Sequence, residues 1–323
     1  LYPGVPPFLI PKSMSLKLGK IGLVGPGAIG GYYGGMLAHV GQDVHFLFHS
    51  TYRDVLRNGL SLVHHAEGKR TSTVEPLQAY QNADDIGHCD LVIVASKATA
   101  NDSLGAIMKQ LVGPETSLLT LQNGMGNVEN LQNLFGQGRE IIGGLCFTCI
   151  NRTAPGVIEN LLPGYVQFGQ LAGALSVRGN QIADAFADAG IKIRKADSLN
   201  EALWRKLCWN IPFNGLSIVA GGITTDLILS NPDLKQRAWD LMLEVQAVAR
   251  AYEVQIEDSF LQRQFDLTEP MGPYRPSSLI DFQAGKPVEV DTIWGEPLRR
   301  GKLKGLMMPQ TERLFNELNK ATQ

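Results

Sequence analysis

Lys206, Asn210 and Asn214 stand at i, i+4 and i+8 in the run Lys206-Leu-Cys-Trp-Asn210-Ile-Pro-Phe-Asn214. On an α-helix that spacing lines three polar side chains along one stripe, drifting by roughly 40° per step. Leu203, Leu207 and Ile211 form an apolar stripe beside it. One cation and two amides next to an apolar row suit a small anion that also carries a carbonyl or hydroxyl. The cation meets the charge, and the amides bond oxygen without adding any. A solvated helix face would carry the same pattern, so the weight falls on the rest of the chain.

The other chemistry-bearing stretch opens the chain. Lys20-Ile-Gly-Leu-Val24 reads as a short buried strand, followed by Gly25-Pro26-Gly27-Ala28-Ile29-Gly30, a helix-like run to about Val40, and a second strand, Asp43 to Phe48. Strand, G-x-G-x-x-G, helix, strand is the dinucleotide-binding arrangement. Gly25 allows the tight turn, Gly27 lets backbone approach a pyrophosphate, and Gly30 lets helix and strand pack closely. The pyrophosphate would sit on the helix N-terminus, over Pro26, Ala28 and Ile29, where free N–H groups and the helix dipole favour negative charge. After the second strand an NAD site carries an acid for the ribose 2′-hydroxyl. Here the residues are His49-Ser50-Thr51-Tyr52-Arg53, with no acid before Asp54. His49, Ser50 and Arg53 could surround a 2′-phosphate, so the expected cofactor is NADP(H), with Asp54 as the counterexample. Two further strands, Leu91–Ala95 and Ser117–Leu121, end in Ser96-Lys97 and Gln122-Asn123-Gly124. Ligands of an open α/β sheet bind at the carboxyl ends of strands, which places Lys97 and Asn123 near the cofactor and the substrate.

These stretches need two kinds of scaffold to hold them. The expected fold is α/β: an N-terminal Rossmann-type doubly wound sheet followed by an all-helical C-terminal domain. The boundaries are 14–196 for the first and 197–323 for the second, set where strand patterns stop near Ala196. Ser198-Leu-Asn-Glu201 is a capping box that starts the helix carrying Lys206, and Pro212 inside that helix should kink it. Gly221-Gly222 ends it, and Asn231-Pro232 caps a long helix to about Tyr252. Shorter helices are expected over Ser259–Leu267, Ser277–Ala284, Glu289–Glu296, with Pro297 as a break, and Gln310–Lys320. Leu60–Val63 and Thr71–Val74 read as a hairpin with His64 and His65 exposed at its turn. Residues 1–13 hold four prolines and no periodicity. They read as a leader outside the fold, with the natural start at Met14.

Composition narrows the function classes. The chain has 323 residues, 44 % of them hydrophobic, with 29 basic against 31 acidic side chains. No basic tract points to nucleic acid, and no apolar run reaches the ~18 residues that span a membrane. Four scattered cysteines do not make a disulfide scaffold, which makes the cytoplasm the default compartment. Cys146-Phe-Thr-Cys149 lies in an apolar strand-like run without a second pair, so no metal site is expected there.

The glycine fingerprint Gly25–Gly30, Lys97 at a strand end, Gln122-Asn123-Gly124-Met-Gly126, Lys206-x-x-x-Asn210-x-x-x-Asn214 and Ser277-Ser278-Leu-Ile-Asp281 through Glu289-Val-Asp291 occur in this order. Together, from about Lys20 to Asn319, they resemble the ketopantoate reductase (2-dehydropantoate 2-reductase) family. The resemblance implies a Rossmann domain and a helical domain with the active site between them. It implies NADPH-dependent reduction of 2-dehydropantoate to (R)-pantoate, a step of pantothenate and coenzyme A synthesis. Lys206 would be the general acid, with Glu289 beside it, touching substrate or cofactor. Asn123, Asn210, Asn214 and one of Ser277 and Ser278, the second matching slightly better, would hold the carboxylate and hydroxyl groups. Lys97 and Asn123 would also reach the nicotinamide ribose. The departures are His49 in place of a common Arg, Gly215 in place of a frequent Pro, and Thr224-Thr225 where a further Asn is expected. A paralogous reductase of another small 2-oxo acid and a non-catalytic NADP(H) sensor are the alternatives. A homodimer, as in some family members, is the oligomer considered.

Overall fold

The computed structural model describes residues 16–66 and 68–322. The leader expected over 1–13 lies outside these residues. Ten strands form one sheet among them: β1 (Lys20–Val24), β2 (Asp43–Leu47), β3 (Ser61–His64), β4 (Arg70–Thr73), β5 (Gln78–Tyr80), β6 (Cys89–Val94), β7 (Val112–Thr120), β8 (Ile141–Ala154), β9 (Val157–Gly169) and β10 (Ile193–Lys195). The helices are α1 (Ala28–His39), α2 (Tyr52–Asn58), α3 (Asn101–Met108), α4 (Asn127–Phe135), α5 (Val177–Asp188), α6 (Leu199–Val219), α7 (Thr225–Ser230), α8 (Pro232–Ala251), α9 (Asp258–Thr268), α10 (Ser277–Gln283), α11 (Glu296–Leu303) and α12 (Pro309–Ala321). Strands stop at Lys195 and helices take over from Leu199, so the chain is a Rossmann-type sheet followed by a helical region.

The strand order is β4-β3-β9-β8-β7-β6-β1-β2-β5, with β10 on β9. The run from β5 to β8 is parallel, and β9 returns antiparallel to β8. Chain order reverses between β1 and β6, and a crevice at the carboxyl ends of strands forms at such a switch point. Residue alternation explains the two layers on this sheet. Leu23, Leu91 and Ile93 pack into one core with Phe46, Phe168 and Phe186, while Val24, Val92 and Val94 face the other way onto Leu104, Leu118 and Leu131. A third core, around Trp204, Ile211, Phe213, Leu241, Val245 and Trp294, belongs to the helices.

Local signals set the helix that carries Lys206. The Ser198 hydroxyl accepts from the Glu201 N–H at 3.2 Å, but the Glu201 carboxylate takes Arg205 Nε at 2.7 Å, so only half of the capping box forms. α6 continues through Pro212 to Val219. Asn231 Oδ1 accepts from the N–H groups of Asp233 and Leu234, and α8 follows with Pro232 in its first turn.

Three expectations need correction. Pro297 does not break a helix; it lies in the first turn of α11, where the π-turn of residues 291–295 runs directly into that helix. His64 and His65 are half-buried rather than exposed. His64 Nδ1 lies 2.8 Å from the Tyr32 hydroxyl of α1, and His65 Nε2 lies 2.8 Å from Glu159, because the hairpin packs along α1 and β9. Thr224-Thr225 opens a further short helix, α7, which the pattern did not reveal.

Candidate functional site

At the end of β1, Gly25 has φ +81, and a Cβ there would lie 2.3 Å from the Ser96 backbone nitrogen. Only glycine fits that turn. The Gly27 N–H donates to Gly25 O at 2.7 Å, which closes the turn and delivers the chain into α1. A Cβ on Gly30 would stand 2.6 Å from Gly25 O and 2.8 Å from Ala95 Cβ, so its absence is what lets α1 lie against the sheet. Gly27 is different: around its Cβ position there is only Gly25 O, at 4.0 Å. This is a cradle that a side chain would fill. The first-turn amides of Ala28, Ile29 and Gly30 have no intrahelical acceptors. The Ser96 hydroxyl beside them is buried without a hydrogen-bond partner. Open backbone, free amides and an orphaned hydroxyl at a helix N-terminus fit a dinucleotide pyrophosphate.

The cradle is one end of a single cleft of about 1990 Å³. Pockets for one small ligand run to roughly 1,000 Å³, so there is room for a cofactor and a substrate together. Gly25, Pro26, Gly27, Ala28, Ile29, His49, Ser50, Lys97, Asn123, Lys206, Asn210, Ser277 and Glu289 all line it. Gly30, Arg53, Asn214 and Ser278 do not. Arg53 is exposed in the first turn of α2.

Lys206 approaches from α6. Its ammonium donates to Asn123 Oδ1 at 3.0 Å and to Cys146 O at 3.1 Å, which leaves one of its three N–H groups without a protein acceptor. Phe147 of β8 presents its ring to the same nitrogen, 5.3 Å from the centroid. Burial holds the Lys206 pKa below its ordinary value, against the opposing influence of Cys146 and Glu289. Asn123 is itself fixed, since its carbonyl accepts from Asn127 Nδ2 at 2.9 Å and from the Thr292 hydroxyl at 3.2 Å. One turn beyond Lys206, Asn210 is buried and faces the same cleft.

Glu289 is 5 % exposed, and its direct partners are on the sheet side. Oε1 accepts the Ala98 N–H at 2.9 Å, and Oε2 stands 3.5 Å from Lys97 Nζ. Lys97 also donates to the Asp281 carboxylate of α10. Burial works against the Lys97 charge, but Glu289 and Asp281 outweigh it and hold the pKa above its ordinary value. Glu289 thus bonds Lys97 rather than Lys206, which it reaches only through space. Asp291, two residues on, points elsewhere: both its oxygens take Arg299, at 2.7 and 2.8 Å.

Asn214 has turned away from the cleft. It is 2 % exposed, and its Oδ1 accepts the Ser278 N–H at 3.1 Å, in the first turn of α10. Pro276 at the N-cap has no side chain that could accept there, so Asn214 caps a neighbouring helix. Ser277, exposed at the same turn, is the serine that meets the cleft. Thr225 is fully buried with its hydroxyl on Gly272 O, and the Thr224 hydroxyl goes to Asp226. Cys146 and Cys149 are both free, and burial pushes the Cys146 thiol up to about 11. Among the described residues no three His, Cys, Asp or Glu side chains gather into a metal cluster, and no helix is long and apolar enough to cross a membrane. Phe147 was missed by the sequence reading because nothing in an apolar strand marks the residue that will meet a lysine 59 positions later.

An ammonium with one free N–H, beside a dinucleotide cradle and the amides of Asn123 and Asn210, can polarise and protonate a carbonyl oxygen. The family model described as "Ketopantoate reductase PanE/ApbA" matches residues 21–173, and its C-terminal counterpart matches residues 198–322. A 2-dehydropantoate 2-reductase from Nostoc sp. is 38 % identical over 304 residues, covering 93 % of this chain and 94 % of the relative. The crystal structure of 2-dehydropantoate 2-reductase from Geobacter metallireducens GS-15 superposes with a TM-score of 0.88 at 38 % identity, covering 94 % of this chain and all of that one. D-mandelate dehydrogenase in complex with NADH shares the fold, with a TM-score of 0.83 at 20 % identity over 94 % of this chain and 98 % of its own. With both family models in sequence and these relatives along nearly its whole length, the chain belongs to the ketopantoate reductase family of oxidoreductases.

Proposed function

We propose that this reductase converts the ketone of 2-dehydropantoate to (R)-pantoate with NADPH, using Lys206 as general acid, in the synthesis of pantothenate and coenzyme A. The observation that carries this reading is the Lys206 ammonium, tied down by Asn123 Oδ1 and Cys146 O with one N–H left over, in the cleft that also holds the Gly25–Gly30 cradle. NADPH bound on the cradle supplies the hydride. Lys206 gives its free proton to the oxygen as the carbonyl carbon is reduced, and solvent returns the proton. Asn123 and Asn210 orient the substrate oxygens, with Ser277 at the cleft wall. Glu289 keeps Lys97 charged at the strand end, where that cation can meet ribose or carboxylate. His49 and Ser50 at the cleft, with no acid between them and Asp54, support a preference for NADPH over NADH. Four free cysteines support a cytoplasmic setting. A homodimer is the oligomer this reading expects, and light scattering would test it.

Reduction of another small 2-oxo acid is the second reading. It is favoured by Thr224 and Thr225, whose hydroxyls bond Asp226 and Gly272 and lie off the cleft, so no further amide arrives there. Loss of NADPH absorbance with 2-dehydropantoate, against 2-oxoisovalerate, which lacks the hydroxymethyl group, separates the two. Turnover on the first alone supports the proposal, and turnover on neither would reject that substrate. Lys206→Ala is expected to lower kcat by roughly 10²–10⁴ while leaving NADPH affinity nearly unchanged. A variant that kept full turnover would remove Lys206 from the mechanism, and a protein that bound NADPH but reduced nothing would be a sensor.

A further inference from the structure

Beyond the two acceptors of Lys206, its ammonium has a third neighbour of a different kind. The Phe147 ring lies 5.3 Å from Nζ, and Phe147 is stacked on Tyr165 of β9, with ring centroids 4.6 Å apart and planes 16° from parallel. Register explains the stack, since Phe147 and Tyr165 are directly paired across the antiparallel β8–β9 ladder. On Tyr165 the Arg194 guanidinium lies 3.8 Å from the ring centroid. All four side chains line the cleft. We infer that Phe147, held by Tyr165, is a positioning residue for Lys206: its ring favours the ammonium over the neutral amine and fixes its direction without taking the N–H that the substrate needs.

The chemistry supports this division of labour. A carboxylate in that place would hold the charge, but it would also accept the third N–H and compete with the carbonyl oxygen. A ring face attracts a cation through its quadrupole and leaves the hydrogen-bonding capacity free. The other groups that bear on the Lys206 charge are few. From β8 comes the Cys146 thiol, which burial keeps protonated at neutral pH. From the segment after α10 comes Glu289, whose oxygens are engaged by Ala98 N and Lys97, with Asp281 on the far side of that lysine. From the loop after β7 comes Asn123, which is neutral. On α6 itself Arg205 is paired with Glu201. None of these offers an ionic hydrogen bond to Lys206, so the ring adds to the two neutral acceptors, Asn123 Oδ1 and Cys146 O, as a contact that favours its charge.

The inference rests on Lys206 acting as the acid, and one set of pH profiles tests both. An acid must be protonated, so kcat/KM falls as pH rises through the Lys206 pKa. Phe147→Leu removes the ring face. It is expected to move this alkaline limb to lower pH by about 0.4 to 1.5 units and to lower kcat on the order of tenfold, with NADPH affinity by fluorescence titration unchanged. Phe147→Tyr keeps a ring and should restore the limb. Tyr165→Leu, which leaves Phe147 in place but unbacked, should move it the same way by less, and it tests the inference if Phe147→Leu does not fold. A limb that stays put in both Leu variants overturns the inference, as does an equal shift in Phe147→Tyr. A wild-type profile with no alkaline limb, or a Lys206→Ala variant that still turns over, would instead overturn the role of Lys206.

Discussion

Lys206 shows how one side chain's environment sets both its use and its cost. A lysine in water keeps its proton to high pH. Here burial lowers the pKa, while Cys146 and Glu289 push the other way. The ammonium is therefore closer to releasing its proton than an exposed lysine, which suits a general acid. The same burial works against folding with the charge in place. Because the folded pKa lies below the ordinary 10.5, the penalty is complete below the folded value, shrinks as pH rises through it, and is gone above 10.5. Lys206→Met should therefore melt a few degrees higher than wild type at pH 7, roughly 2–4 °C for each kcal/mol regained, with an advantage that fades toward pH 10.5. Differential scanning calorimetry at several pH values would measure it; a variant that melts lower at pH 7 would show that the lysine's bonds to Asn123 and Cys146 outweigh its desolvation.

Among the elements, α6 and α10 show a polar residue with a structural role about two turns along the helix from Lys206. Asn214 lies two helical steps beyond Lys206, which rotates it by roughly 80° from the lysine. That angle takes it out of the cleft and against α10, whose N-cap is a proline. With Asn214 replaced by Ala, the buried Ser278 N–H loses its acceptor, a loss of about 1–2 kcal/mol. Urea denaturation should show that loss. If the role is capping alone, KM for the oxo acid should change by less than about threefold, since α10 stays packed on α6 through Leu279. A large rise in KM at unchanged stability would instead make Asn214 a substrate contact.

Between sheet and helices, Lys97 forms a clasp across the cleft. It is held on one side by its place at the end of β6 and on the other by Asp281 and Glu289, more than 180 residues away. Arg300 of α11, bonded to Glu129 of α4, is a second tie between the same two halves. Burial disfavours the Lys97 charge, yet the two carboxylates raise its pKa above 10.5. A raised lysine contributes stability that is fully present below its unfolded pKa and is lost as pH rises through the folded value. The difference in urea midpoint between wild type and Lys97→Met should accordingly stay constant from pH 6 to pH 9 and shrink only above 10.5. A difference that vanished between pH 6 and pH 8 would assign the stabilisation to another group. By small-angle scattering, the unliganded variant should be larger than wild type, because one of the ties across the cleft is gone; equal dimensions would show that Lys97 does not hold the halves together.

What could be read along the chain was what depends on near neighbours. The glycine turn of Gly25 and Gly30, the Ser198 and Asn231 caps, and the period that put Lys206 and Asn210 on one stripe all act within about one helical turn or one strand-to-helix junction. Composition and spacing could therefore place the dinucleotide cradle, the α/β-then-helix order and the helix bearing the lysine. The partners of each charged or amide group were not legible in the same way. Glu289 and Asp291 are equivalent carboxylates two positions apart, and only the docking of the segment after α10 on the loop after β6 gives Lys97 to one and leaves Arg299 to the other. Asn210 and Asn214 share a motif, yet the helix rotation leaves one in the cleft and makes the other a cap. Arg53 follows His49 and Ser50 closely, but α2 turns it outward. Phe147 acquires its place beside Lys206 from the β8–β9 register and from the docking of α6 onto β8. The backbone's local hydrogen bonding is encoded locally; which side chains meet across a cleft is decided by contacts between residues tens to hundreds of positions apart, and those exist only in the folded chain.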